Sequence, residues 1–205
     1  DQDWDTTLVE FIPQIIEATD ELSYNLAFRK LTTRINDSHA FFHTATYDLW
    51  IGYHITPFLI RFIEDETVIT KVMPDVTGIK AGDIIKEIDG VNIYELRDSL
   101  REYSHGSNNE FIETQINEMI MMDIFGYFPI TVDDGNSIHS DTLYRSSDYI
   151  NPLNTKTGPI WKDTLINSNC NFGIVDMGRL IPDDVDSMFS ELWNTDAIIF
   201  DIRSY

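Results

Sequence analysis

Phe172-Gly173-Ile174-Val175-Asp176-Met177 and Ala197-Ile198-Ile199-Phe200-Asp201-Ile202 flank a helical pattern, and together they decide the fold class. Each is a short apolar run of strand length, the signature of a strand covered on both faces. Between them, over residues 183–193, Val185, Met188, Phe189 and Leu192 recur at helical spacing and are expected to face inward. Strand, helix, strand predicts two parallel strands joined by a right-handed crossover, the unit of an α/β sheet. A strand like 197–202 sits mid-sheet. Further strands are therefore expected after it, and the chain reads as the front part of a larger protein. Asp201 and Arg203 at its end are expected to form an ion pair that fixes the following loop.

Upstream, the period changes twice. Residues 110–122 predict a helix whose Met119, Met121 and Met122 fill a core rather than bind a ligand. A strand over 128–132 and a turn at Asp133-Asp134-Gly135-Asn136 follow, while 137–170 read as irregular and polar. His105-Gly106-Ser107-Asn108-Asn109 reads as a polar linker. Before it, strands over 58–63 and 67–72 flank the polar turn Glu64-Asp65-Glu66. Then comes Gly78-Ile79-Lys80-Ala81-Gly82-Asp83-Ile84-Ile85-Lys86-Glu87-Ile88-Asp89-Gly90-Val91-Asn92-Ile93, with Asp89-Gly90 as a tight hairpin turn and a short helix over 96–103.

The first block is helical. Thr7 and Glu10 fit a capping box, and Leu8, Phe11, Ile12, Ile15 and Ile16 follow at helical spacing, with Pro13 expected to kink or shorten the helix. A second helix over 21–34 carries Leu22, Leu26, Leu31 and Ile35 on one face, and Asn36-Asp37-Ser38 is turn-prone. The expected divisions are a helical segment at 1–48, a β domain at 49–105 and an α/β piece at 106–205: α/β multidomain, α+β overall.

Composition narrows the function classes. A net charge of −21, from 35 acidic and 14 basic residues, leaves no basic footprint for nucleic acid and no polybasic membrane patch. No apolar run is long enough to span a membrane. Cys170 is the one cysteine, which excludes an internal disulfide or a multi-cysteine zinc site, and it lacks a nucleophile signature.

Three segments point to one family. Residues 78–93 resemble the PDZ signature of bacterial proteases; Asp37-Ser38-His39-Ala40 resembles the Ser-His-Ala motif of tricorn-like peptidases; residues 172–203 resemble the start of the ClpP/crotonase-like core of the tail-specific, or carboxyl-terminal processing, serine peptidases. The resemblance implies that His39 is the general base for a serine nucleophile beyond Tyr205, and that Ser38 organises the hydrogen bonds around it. Members with a Ser-Lys dyad leave the mechanism class open. It implies a polypeptide substrate, no metal and no organic cofactor, and a periplasmic or cell-envelope location. The oligomeric state stays open.

By the same resemblance, substrate contacts fall on Tyr53, His54, Ile55 and Phe58. The stretch Gly52-Tyr53-His54-Ile55-Thr56-Pro57-Phe58 departs from the PDZ pattern, with one glycine and a proline that cannot donate an N–H, which implies weakened capture of a peptide carboxylate.

Ordinary readings stand beside these. One has His39 capping a helix or filling a partly buried site; another has His39 and His43 sharing a helix face and binding a metal, although no Glu follows His39; Asp37 reads as a turn or cap residue. The rival to the peptidase is a non-catalytic PDZ module that binds peptide or acts as a scaffold.

Overall fold

The computed structural model describes residues 3–124, 126–165 and 170–202. It is a mixed helix-and-sheet fold that divides into two compact units, Asp1–Thr155 and Lys156–Tyr205.

In the first unit, α1 (Trp4–Ile16) begins at Asp3, whose carboxylate accepts the backbone N–H groups of Asp5 and Thr6. The start expected at Thr7 and Glu10 moves upstream because a better acceptor is available there. Thr7 lies inside the helix, its hydroxyl donating to the Asp3 carbonyl at 2.8 Å. The helix runs one turn past Pro13. In α2 (Glu21–Thr33), capped by the reciprocal pair Asp20 and Ser23, the buried residues are Asn25, Ala27 and Arg29. The expected stripe of Leu22, Leu26 and Leu31 is only partly covered and Ile35 is exposed, since the inward face is given to a guanidinium. A further helix, α3 (Ala45–Ile51), follows its N-cap Thr44.

The sheet comes next. β1 (His54–Ile55) pairs with β6 (Met122–Asp123). β2 (Phe58–Ile63) and β3 (Glu66–Val72) form a hairpin whose turn residues Glu64 and Asp65 both take positive φ, as the strand twist demands. β4 (Ile84–Ile88) turns at Asp89-Gly90 into β5 (Val91–Asn92), again with positive φ at both turn positions. α4 (Ile93–Arg101) starts three residues earlier than its apolar pattern suggests because Asn92 caps it. α5 (Asn109–Met121), β7 (Gly126–Asp133) and β8 (Ile138–Arg145) complete the unit's main framework.

The strand order is β2-β3-β4-β7-β8, so the sheet draws strands from both sides of residue 105 into one core. Phe58, Ile69, Ile85, Ile88, Phe128 and Ile130 lie at its centre. β8 falls in the stretch expected to be irregular. Ser140 and Thr142 are exposed while Leu143 and Arg145 are buried, and eight register pairs with β7 supply the strand through backbone pairing rather than composition. α6 (Ile150–Asn154) follows.

In the second unit β9 (Trp161–Leu165) pairs antiparallel with β10 (Asn171–Asp176), which pairs parallel with β11 (Ala197–Asp201). The expected strand–helix–strand unit is present. Its helix, α7 (Val185–Leu192), is preceded by a 3₁₀ turn at Pro182–Asp184. Met188 and Leu192 are buried against Val175, whereas Phe189 faces out, contrary to the expected inward face. Gly173 brings β10 close beneath α7: a Cβ there would meet Leu192 at 2.9 Å. Arg203 lies outside the described residues, and with it the expected Asp201 pair.

Gly52 has φ +90, and a Cβ on it would lie 2.0 Å from the Asp123 carbonyl carbon. Gly52→Ala is expected to break the β1–β6 contact and cost about 2 kcal/mol or more, read as a lowered thermal midpoint; an unchanged midpoint would contradict this packing.

Candidate functional site

Ser38 and His39 lie in the loop between α2 and α3. Asn36 takes a positive φ, and Asp37 Oδ1 accepts the His39 backbone N–H at 2.9 Å, closing an Asx turn. The same oxygen is 3.4 Å from His39 Nδ1. With the ring proton held on that side, Nε2 carries the lone pair, the form a general base requires. The side chain is 97% exposed, so Asp37 is the group that orients it among the described residues.

Ser38 does not touch the imidazole. Its N–H donates to Ser107 Oγ at 3.0 Å, and the Ser107 N–H donates to Ser38 Oγ at 3.0 Å. The two hydroxyls are 3.2 Å apart. This reciprocal clasp ties the loop to the entry of α5. The resemblance gives Ser38 the task of organising the hydrogen bonds around His39; its hydroxyl instead meets Ser107, 69 residues away.

Beneath the clasp, His105 is buried between Phe41 and Phe111, with ring centroids 5.9 and 6.1 Å away. Its backbone N–H donates to Gln115 Oε1 at 3.1 Å, and the Gln115 amide nitrogen lies 3.1 Å from His105 Nε2. That pairing makes Nε2 an acceptor and leaves the ring neutral, with its proton on Nδ1, the side of the Ser38 backbone. Nδ1 reaches no acceptor at hydrogen-bond geometry. Burial, and then the charge of Arg29, hold its pKa below the ordinary value. Arg29 itself is buried over the Tyr47 ring at 3.9 Å, and donates to the carbonyls of Tyr103 at 2.8 Å and Phe42 at 3.1 Å.

A cleft of about 410 Å³ opens beside these groups, lined among others by Arg29, His43, Tyr47, Tyr53, His105 and Glu118. His43 Nε2 is 3.2 Å from Asp48 Oδ2. Glu118 is open to solvent on one side, while the surrounding protein pushes its carboxyl above the usual range. His39 lies in a turn and His43 precedes α3, so the shared helix face considered for a metal does not form. Among the described residues no group of three or more potential ligands is gathered.

The residues assigned to substrate contact separate. Tyr53 borders the cleft and is half exposed. His54 is partly buried in β1, opposite Asp123. Ile55 and Phe58 belong to the core, Phe58 packing on Phe128 with centroids 6.3 Å apart. The local amides are also committed: Ile55 N–H donates to the Ser146 carbonyl at 3.3 Å, Thr56 N–H to that of Met121 at 2.9 Å, and Pro57 has none. No row of free N–H groups therefore faces a peptide carboxylate at 55–57. The sequence reading missed His105, Ser107 and Arg29. The histidine and serine in a supposed linker were the available signal.

No protein-family model matches the chain, and no curated protein sequence matches it significantly. Its fold is similar to solved structures of CPAF, a chlamydial serine protease of the tail-specific protease family. Mature CPAF aligns at TM-score 0.59 and 12% identity, over 98% of this chain and 49% of CPAF. CPAF complexed with lactacystin aligns at 0.59 and 13% identity, over 98% and 50%. A serine-to-alanine mutant of CPAF aligns at 0.62 and 11%, again over 98% and 50%. The likeness is one of fold, and the chain spans about half the length of these proteins.

The neutral His105 has a consequence for pH. Its folded pKa is depressed below 6.5, so the unfolded chain takes up a proton first as pH falls. Its contribution is thus present above that value and lost as pH drops from there toward the lower folded pKa. Thermal midpoints measured between about pH 8 and pH 5 should fall through this window, and His105→Gln should flatten that part of the profile; an identical profile in the variant would refute the role.

Proposed function

We propose that this chain forms the front part of a serine-type peptidase of the tail-specific, tricorn-like kind. In this reading it has a PDZ-like region at 49–105 and the start of a ClpP/crotonase-like core within 106–205. One observation supports the proposal: the His39 imidazole, oriented by Asp37 and otherwise exposed, in a chain whose fold resembles that of CPAF over 98% of its length.

His39 acts as the general base. Its Nε2 takes the hydroxyl proton of a serine supplied beyond Tyr205 as that oxygen attacks a peptide carbonyl. The proton then passes to the departing amine, leaving an acyl-enzyme that water hydrolyses. Asp37 orients the ring. Ser38 and Ser107 fix the loop that presents it, so they are positioning residues. The substrate is a polypeptide. The committed amides at 55–57 weigh against the rival, a module that only captures peptide carboxylates in the PDZ manner.

In the longer protein His39→Ala should lower turnover of an unstructured polypeptide by about 10⁴-fold or more while the thermal midpoint is kept. Unchanged turnover would remove His39 from the mechanism. Ser38→Ala should give a smaller loss, about tenfold, by loosening the loop.

A further inference from the structure

A second and larger cleft, of about 610 Å³, opens between α1 and α2 on one side and α4 and α5 on the other. Asn36 and Ser104 line it, so it adjoins both loops joined by the Ser38–Ser107 clasp. It gathers three of the chain's 14 basic residues, Lys30, Arg34 and Arg101, with Glu10 and Glu102 also in its lining. Each is held by a carboxylate, Lys30 by Glu102, Arg34 by Glu10 at 2.7 Å, and Arg101 by Glu113. Glu113 is shared with the buried Arg97 and cannot leave. Glu10 and Glu102 are about half exposed, at 47% and 61%, so each can swing aside.

Among the described residues, the side chains of Arg34 and Arg101 each form one hydrogen bond. A guanidinium has five donors, and most of theirs remain for a ligand. Exposed ion pairs contribute little, so exchanging a protein carboxylate for a ligand's costs little. The first residue of α5, Asn109, adds the positive end of a 13-residue helix.

We propose that this cleft binds a carboxylate of an extended polypeptide, held between Arg34 and Arg101 with Lys30 beside them. The choice of a polypeptide rests on the peptidase reading. The site's chemistry agrees with it: the carboxamides of Gln14, Asn36 and Asn109 offer both donors and acceptors, as a peptide bond requires, above the apolar Phe11 and Ile112. Glu10 and Glu102 at the rim oppose a doubly charged phosphate more than a single carboxylate. The carboxylate is supplied by a C-terminus or by an acidic side chain.

Fluorescence anisotropy on the 205-residue chain tests this. The probes are a labelled unstructured peptide with a free C-terminus and no acidic side chain, its C-terminally amidated twin, and the amidated twin with one internal Glu. One or both of the carboxylate-bearing peptides should bind about tenfold or more tighter than the acid-free amide, and which of them does so identifies the source. Added salt should weaken that binding. Arg34→Gln and Arg101→Gln should each remove about tenfold of it, and Glu10→Gln, which frees Arg34, should strengthen it. Thermal melts verify that each variant is folded.

Equal binding of the acid-free amide would overturn the proposal, as would indifference to Arg34→Gln and Glu10→Gln, or stronger competition by inorganic phosphate than by acetate. Binding needs no cleavage. Carboxylate binding without turnover in the longer protein refutes the peptidase reading alone, and turnover without carboxylate binding refutes the cleft alone.

Discussion

The guanidinium of Arg29 is the constraint on which the candidate site depends. Buried charge is costly unless its donors are filled, by several kcal/mol per ion. Arg29 meets that cost without a carboxylate, using the carbonyls of Phe42 and Tyr103 and the face of Tyr47. Those partners belong to the loop that carries His39, the segment leading to His105, and α3. Opening any of them would strand the charge. Two other buried arginines also lie over aromatic rings but pair with carboxylates: Arg97 over Phe62 with Glu113 and Asn117, and Arg145 over Phe128 with Asp89. Each pins segments distant in sequence, so these cations set the geometry of turns that apolar packing alone would leave loose.

On this frame the loop at 37–39 is organised at two levels. Asp37 fixes the histidine by local hydrogen bonds, and the serine clasp fixes the loop against α5. The imidazole is therefore held in direction while its outer nitrogen stays open. His105 below it is the opposite case, a histidine kept neutral by aromatic walls and a glutamine. Two similar side chains thus have different roles because one faces water and the other does not.

Local patterns exposed much of this in the sequence. The 183–193 helix between two apolar runs, the hairpins at Glu64-Asp65 and Asp89-Gly90, and the position of Ser38-His39 all rest on residues close together in the chain. What escaped depends on partners far away. β8 has a polar composition and exists through its register with β7. Arg29 has the look of a surface residue on a helix. Ser107 acquires meaning only when Ser38 arrives from 69 residues upstream. Ile55 and Phe58 have the composition of ligand contacts, but the burial that removes them from the surface is a tertiary fact.

The strand order has a last implication, for biosynthesis. β4 lies between β3 and β7, with Ile84 registered to Asp133. A nascent chain that has emerged only as far as α5 therefore exposes a half-made sheet with one long flank unpaired. The intervening helices can form early from local contacts, but the seam closes only after the chain has looped back, and the entropy of that closure must be met before the pairing stabilises it.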